Sequence, residues 1–270
     1  MSISQIDGSD RARASAALAP SWTRRGLYLA LALYTVYAAS TLDITAERFQ
    51  RGLGEGARLL GRLWPPNLQA SKLELLREGM LESIEIAVLA TAAGVALSIP
   101  LGLCAARNLM PAPVAWSARA LIALLRSFHP VIVAILFVKA VGFGALAGIL
   151  ALVVASMGFV SKLFAEAIEE MNVRQVEAVR ATGASFAGTL IMAVLPQVMP
   201  RCIGFAAYQL DSNLRNSTMV GIVGGGGIGA TLFTAYQRFD YDFVMTILLV
   251  IIALIMLSEI VSARVRAVFQ

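Results

Sequence analysis

Apolar residues along this chain gather in long blocks, with polar and basic residues mostly in the short stretches between them. A surface helix or half-buried strand would instead alternate apolar and polar positions at a period of 3.6 or 2. A block of about 20 mostly apolar residues is long enough to cross a bilayer as a helix. Such blocks occupy residues 26–42, 84–106, 121–138, 145–164 and 243–261. The first also fits a cleaved signal peptide, because Ala38-Ala39-Ser40 supplies small residues. Several later spans make that cleavage unnecessary, and the block is read as a retained helix. The third contains Arg126, His129 and Pro130, so it is not simply lipid-facing. Between residues 164 and 243 the pattern divides. Hydropathy takes 186–208 as a helix, with Pro196, Pro200 and Arg201 inside it. The alternative runs from about 202 to 223 and carries Asp211 and Arg215.

Composition agrees with the blocks. Of 270 residues, 58% are hydrophobic and 14% charged, against about 25% charged in soluble domains. The net charge of +5 would suit nucleic acid in a soluble protein. Here the basic residues sit at block ends, which points to retention of cytoplasmic loops and not to nucleic acid. Arg11, Arg13, Arg24 and Arg25 precede the first span, Arg107 and Arg119 follow the second, and Arg264 and Arg266 end the chain. Six spans with both termini cytoplasmic place all of them inside. Segment 43–82 runs against this, being external yet carrying Arg48, Arg51, Arg58, Arg62, Lys72 and Arg77 among five glutamates. Its Phe49, Leu53, Leu59, Leu60, Leu63 and Trp64 suit an amphipathic helix on the membrane surface, with a solvated linker as the alternative. A single histidine excludes a histidine metal cluster, and Cys104 and Cys202 show neither metal spacing nor a disulfide framework. The expected organisation is a cytoplasmic tail (1–25), a first span with an external amphipathic segment (26–82), a membrane core (83–264) and a short tail (265–270).

The most informative stretch follows the fourth span. Val173, Val176, Ala178, Val179 and Ala181 recur at helical spacing, with Arg174, Glu177 and Arg180 around them. Gly183 suits the C-terminal stop. A second short helix from Ser185 would end near Leu195-Pro196, making a cytoplasmic knob over 168–198.

The spacing of Glu177-Ala178-Val179, Gly183, Ala193 and Leu195-Pro196 resembles the signature loop of bacterial ABC importer permeases. Val179 and Ala193 stand where that pattern has Ala and Ile, and both keep the position small or apolar. The resemblance implies an all-α polytopic membrane protein of about six transmembrane helices, with the type I importer permease fold, in the bacterial inner membrane. It implies that Arg174, Glu177, Ala178, Arg180, Ala181, Gly183, Leu195 and Pro196 dock an ATPase. It implies a second copy of the chain, two ATPase subunits and a periplasmic binding protein as partners. ATP and Mg would then sit on the ATPase, with no cofactor on this chain. In such permeases the next span starts just after Leu-Pro, which places the fifth span at about 199–223.

That placement puts Asp211, Ser212, Asn213, Arg215, Asn216, Ser217 and Thr218 at membrane depth, where charge is expensive unless paired or wet. Asp211 and Arg215 are four residues apart and can pair on one helix face. The pair is either structural or part of a translocation face on which Arg215, Asn216, Ser217 and Thr218 touch a passing anion. Arg126 and His129 are further candidates near the end of a span. Gly224, Gly226 and Gly229 satisfy GxGxxG, but no βαβ pattern surrounds them. The run 215–229, with Gly224, Gly225 and Gly226, instead resembles the gate-proximal loop of the amino-acid and oxyanion branch of these permeases. Ala105-Ala106-Arg107-Asn108, the run 162–169, Leu195-Pro196-Gln197-Val198 and Phe239-Asp240 are most similar to phosphonate and phosphite importer permeases. A methionine-type permease is the alternative. A membrane enzyme lacks a convergent nucleophile, base or metal set, and the loop over 168–198 argues against an ATPase-independent carrier.

Overall fold

The computed structural model describes residues 22–42 and 45–269. The expected cytoplasmic tail lies almost wholly outside them, with Arg11 and Arg13. Every described element is a helix: α1 (Trp22–Thr41), α2 (Ala46–Leu63), α3 (Ala70–Ala105), α4 (Ala112–Ser127), α5 (Pro130–Val141), α6 (Ala145–Glu169), α7 (Val173–Ala181), α8 (Phe186–Thr189), α9 (Leu195–Val220), α10 (Ile228–Gln237) and α11 (Tyr241–Phe269). The chain falls into two compact units that part between Gly61 and Arg62.

In the first unit α1 is apolar and α2 strongly amphipathic. Segment 46–63 therefore takes the helical alternative, and none of its residues is buried. Arg51 pairs with Glu47 and Arg58 with Glu55, each at 2.6 Å and exposed. Such pairs contribute only about 0.2–0.5 kcal/mol each.

The second unit is organised around α3 and α6. Small residues recur along the buried side of α3 (Ala87, Ala90, Thr91, Gly94, Ser98, Gly102) and of α6 (Ala147, Gly148, Ala151, Ser156, Ser161). A Cβ at Gly102 would come 2.7 Å from the Phe164 ring, and one at Gly94 would strike the Ser156 side chain. In lipid no hydrophobic force drives helices together, so this close backbone approach, with its dense van der Waals contact, holds them. Ile86, Val133, Leu152 and Val220 fill the adjoining core.

At the centre of this packing lies a buried polar network. Asn213 on α9 donates to Thr91 Oγ1 on α3 and to Ser156 Oγ on α6, both at 2.9 Å. Gln209, one turn away, donates to Ser156 Oγ and Asn213 Oδ1 at 3.0 Å. Asn213 and Ser156 are fully buried. The network supplies partners to amides that lipid could not satisfy, and it sets the rotation of α9 against α3 and α6.

Four helical runs are long and apolar enough to cross a membrane, or up to six if each of two bent pairs, α1–α2 and α4–α5, forms one span. Several boundaries differ from expectation. The third span is not one helix over 121–138: α4 and α5 meet at 87°. The proline of His129-Pro130 disfavours helix at the residue before it. Phe128 and His129 are accordingly extended, and His129 becomes the N-cap of α5, its Nδ1 accepting from Val131 N at 3.3 Å. The second span starts at Ala70 rather than 84. Its charged first turns carry Leu76, which packs beside Ile228, Phe243 and Ile247, so burial rather than hydropathy decides them. The second docking helix does not end at Leu195-Pro196, because the chain runs on from Phe186 to Gly225 as one candidate span. A π turn at Leu190–Val194 leads into α9, whose first turn takes Pro196 where its missing N–H is tolerated.

Gly94→Val forces side-chain volume between α3 and α6 and should destabilise the protein by about 1–3 kcal/mol. Asn213→Ala removes the hub of the network, at about 0.6 kcal/mol per lost hydrogen bond in a membrane. Detergent-phase thermal denaturation should show a lowered midpoint for both, by comparable amounts.

Candidate functional site

Of the residues expected to dock an ATPase, Arg174, Glu177, Ala178, Arg180 and Ala181 form one exposed helix on a tightly held base. Asn172 caps α7, its Oδ1 accepting from Arg174 N at 3.1 Å, while Asn172 N donates to Gln197 Oε1 at 3.0 Å. Val176 is buried against Phe164, Ile168, Val194 and Val198. That single anchor turns Arg174, Glu177, Ala178, Arg180 and Ala181 outward, with Arg180 and its neighbours left accessible. Gly183 ends the turn at φ +81°, a conformation that favours glycine. Ser185 Oγ then accepts from Gly188 N at 3.2 Å to start α8. Leu195 is half-buried and Pro196 exposed.

The base of this knob rests on Glu169. Its Oε1 accepts from Arg107 N at 2.8 Å and from Arg119 Nη2 at 2.6 Å. Asn108 Nδ2 donates to Ile168 O at 2.8 Å, and Arg201 Nη1 donates to Glu170 Oε2 at 2.8 Å. The turn after α3 thus clamps the end of α6 directly beneath α7. In the sequence, Arg107-Asn108 reads only as a polar break between spans. Its partners lie about 60 residues away along the chain and leave no local signal.

The polar residues expected along the fifth span do not share a face. Gln209 and Asn213 point into the buried network. Asp211, buried, accepts from Arg215 and from Ser258 Oγ on α11. The Asp211–Arg215 pair therefore ties α9 to α11, beside an apolar cavity of about 270 Å³ that Leu254, Leu257 and Val261 also line. Ser212 and Asn216 lie on a third face. Asn216 Nδ2 donates to Ser212 Oγ at 3.3 Å. Both line a polar cavity of about 220 Å³ with Arg126 of α4, Gln209 and the stacked pair Phe159–Tyr208, whose ring centroids are 5.6 Å apart. Ser217 is turned inward and donates to Leu214 O at 2.8 Å. Thr218, half-buried, crowds Gly229 with its carbonyl.

Gly224, Gly225 and Gly226 lie apart from this cavity, beyond the end of α9. Gly224 and Gly226 have φ of +101° and +80°. Gly144 N donates to Gly224 O at 2.9 Å, and Ile228 N donates to Ser83 Oγ at 2.8 Å. A Cβ at Gly225 or Gly226 would strike Val220 or Glu82. The glycines thus let the chain reverse against the start of α6 and the side of α3, which is a packing task and not a nucleotide cradle.

Comparison with known proteins agrees with this architecture. Residues 98–270 match the family described as binding-protein-dependent transport system inner membrane component. The chain is 42% identical over 207 residues to the phosphate-import permease protein PhnE of Mycolicibacterium smegmatis, a match that covers 76% of this chain but only 39% of that relative. It is 38% identical over 253 residues to the phosphite transport system permease protein PtxC of Stutzerimonas stutzeri, covering 92% of this chain and 90% of the relative. Among solved structures, the MetNI methionine ABC transporter in inward-facing conformations matches with a TM-score of 0.68 at 23% identity, over 75% of this chain and all of the matched chain. That likeness concerns the fold alone. With up to six spans among its described helices, an outward-facing helix after the fourth and a relative aligned along nearly its whole length, the chain belongs to the binding-protein-dependent transport system inner membrane components, the membrane-spanning permeases of ABC importers.

Proposed function

We propose that this chain forms the translocation path for a phosphonate or related phosphorus oxyanion delivered by a periplasmic binding protein. It works as a homodimer, with both termini in the cytoplasm and α7 of each copy seated on an ATPase subunit. ATP and Mg are bound by that ATPase, and this chain binds no cofactor of its own. The observation that carries the substrate class is the near full-length similarity to the phosphite permease of Stutzerimonas stutzeri.

The geometry of α7 supports the docking role. Ala178 and Ala181 are small and exposed, so a partner surface can approach the helix backbone closely, while Arg174, Glu177 and Arg180 fix register by charge. On the membrane side, Asn216 faces the polar cavity on α9. Arg215 and Asp211 hold the adjoining face of that helix, Ser217 and Thr218 shape its end, and Gly224, Gly225 and Gly226 form the turn beyond it.

Glu177→Lys reverses a charge on the exposed face of α7 without touching the buried Val176 anchor. Uptake should fall at least tenfold while the protein still inserts and purifies, and normal uptake by this variant would remove the docking role. The substrate class is tested by ATP turnover of the reconstituted complex with its ATPase and binding protein, offered methylphosphonate, phosphite, phosphate and methionine in turn. Stimulation by the phosphorus oxyanions is expected. Stimulation by methionine alone would discard the substrate while leaving the transporter architecture.

A further inference from the structure

Arg126 occupies a place that its sequence position conceals. It lies in the last turn of α4, but α4 stops at the 87° bend and not at a membrane surface. Its side-chain stem lies against Gly158, where a Cβ would come 2.9 Å from Arg126 Cγ. Gly158 is thirteen residues past Ala145 and eleven before Glu169 along α6. Arg126 is exposed on the single chain, and it makes no ion pair with any described residue. A guanidinium in a membrane-crossing segment is costly unless it faces water or a ligand.

The cavity beside it answers that requirement. Tyr208, Gln209, Ser212 and Asn216 supply its other polar groups, and no described carboxylate lines it. Gln209 spends its amide protons on the buried network, and the Ser212 oxygen accepts from Asn216. The Ser212 hydroxyl proton, the second Asn216 amide proton, the Tyr208 hydroxyl and the guanidinium fork are left to donate. A donor-rich cavity that holds a cation and no described carboxylate suits a small anion with several acceptor oxygens, and Arg presents its donors in a fork that matches a phosphoryl group. The volume of about 220 Å³ far exceeds the share of one water, about 30 Å³. Arg126 also lines a second cavity toward the start of α4, with Arg119, Lys162 and Glu166. There the cations are already matched, Arg119 by Glu169 and Lys162 by Glu166.

We propose that Arg126, Ser212 and Asn216 form a resting site for the transported phosphorus oxyanion within the translocation path, with Arg126 as its counter-charge. The proposal rests on the transport reading above and gives the path a binding point. Below it the matched cations offer no comparable hold, so release proceeds toward the cytoplasm.

The test uses the reconstituted complex carrying Ser212→Cys, with Cys104 and Cys202 replaced by serine and alanine. Anionic and cationic methanethiosulfonate reagents of equal size are compared, each rate normalised to free cysteine. The expected result is labelling from water with about a tenfold preference for the anionic reagent, the scale on which a lined cleft concentrates counter-ions. Arg126→Gln should abolish the preference and Arg126→Lys retain it, while methylphosphonate or phosphite slows labelling of the parent. An unreactive thiol at position 212, or a preference unchanged by Arg126→Gln, overturns the site. Protection that appears only in anionic lipid also overturns it, because a headgroup is then the ligand. A persistent, Arg126-dependent preference in a complex that no phosphorus oxyanion stimulates upholds the anion site and sinks only the substrate assignment.

Discussion

Everything in the membrane core depends on how closely α3 and α6 approach. Gly94, Gly102 and Gly148 stand where a single added carbon would collide with the neighbouring helix or with the glycine turn. Because no side chains separate the two backbones there, Ser156 reaches both Asn213 and Gln209, and Thr91 closes the same network from α3. Dispersion is individually weak but summed over two long helices in contact it is large. The polar network then adds direction. It admits one rotation of α9, and that rotation decides which residues meet water, which meet α11 and which are buried.

The same constraint accounts for the mixed character of α9. A helix with Gln209, Asp211, Ser212, Asn213, Arg215 and Asn216 in two turns is too polar to be read as a span by hydropathy. The structure distributes these residues over three sides with different partners: a buried amide network, an ion pair clasping Ser258, and an open polar cavity. Each side obeys the rule that lipid-depth polar groups are satisfied by protein or by water. Polarity that reads as one translocation face along the sequence is thus three separate devices, of which one faces open space.

The legible part of the fold follows from local signals. Block length announces the spans, and the alternation of Val173, Val176 and Val179 with charged residues announces α7, ended by Gly183. The residues proposed to dock are legible through the resemblance to the importer-permease loop, and the exposure of those on α7 follows from one helix and one buried anchor. What escapes the sequence is decided by distant partners. Glu74, Glu78 and Glu82 hide the first turns of α3, which packing of Leu76 recruits. Pro196 suggests a break, yet a π turn and the tolerance of a helix's first turn carry the chain through it, and α9 continues past Pro200 as well. Arg126 reads as a residue near a span end, and only the bend at Pro130 brings it beside Tyr208, Ser212 and Asn216. Glu169 falls in the run 162–169, but its role is hidden in the sequence, since Arg107 and Arg119 reach it only after folding.

The helix α9 behaves as a shaft. At about 1.5 Å per residue its 26 residues extend roughly 39 Å, from the foot of the α7 knob to the glycine reversal. A stiff shaft cannot bend to absorb a displacement applied at one end; it must tilt or turn as a whole. Gln197, bonded to the backbone at the start of α7, is the crank pin. A rotation of α9 imposed there would reappear four to five turns later as a change in the direction in which Ser212 and Asn216 face.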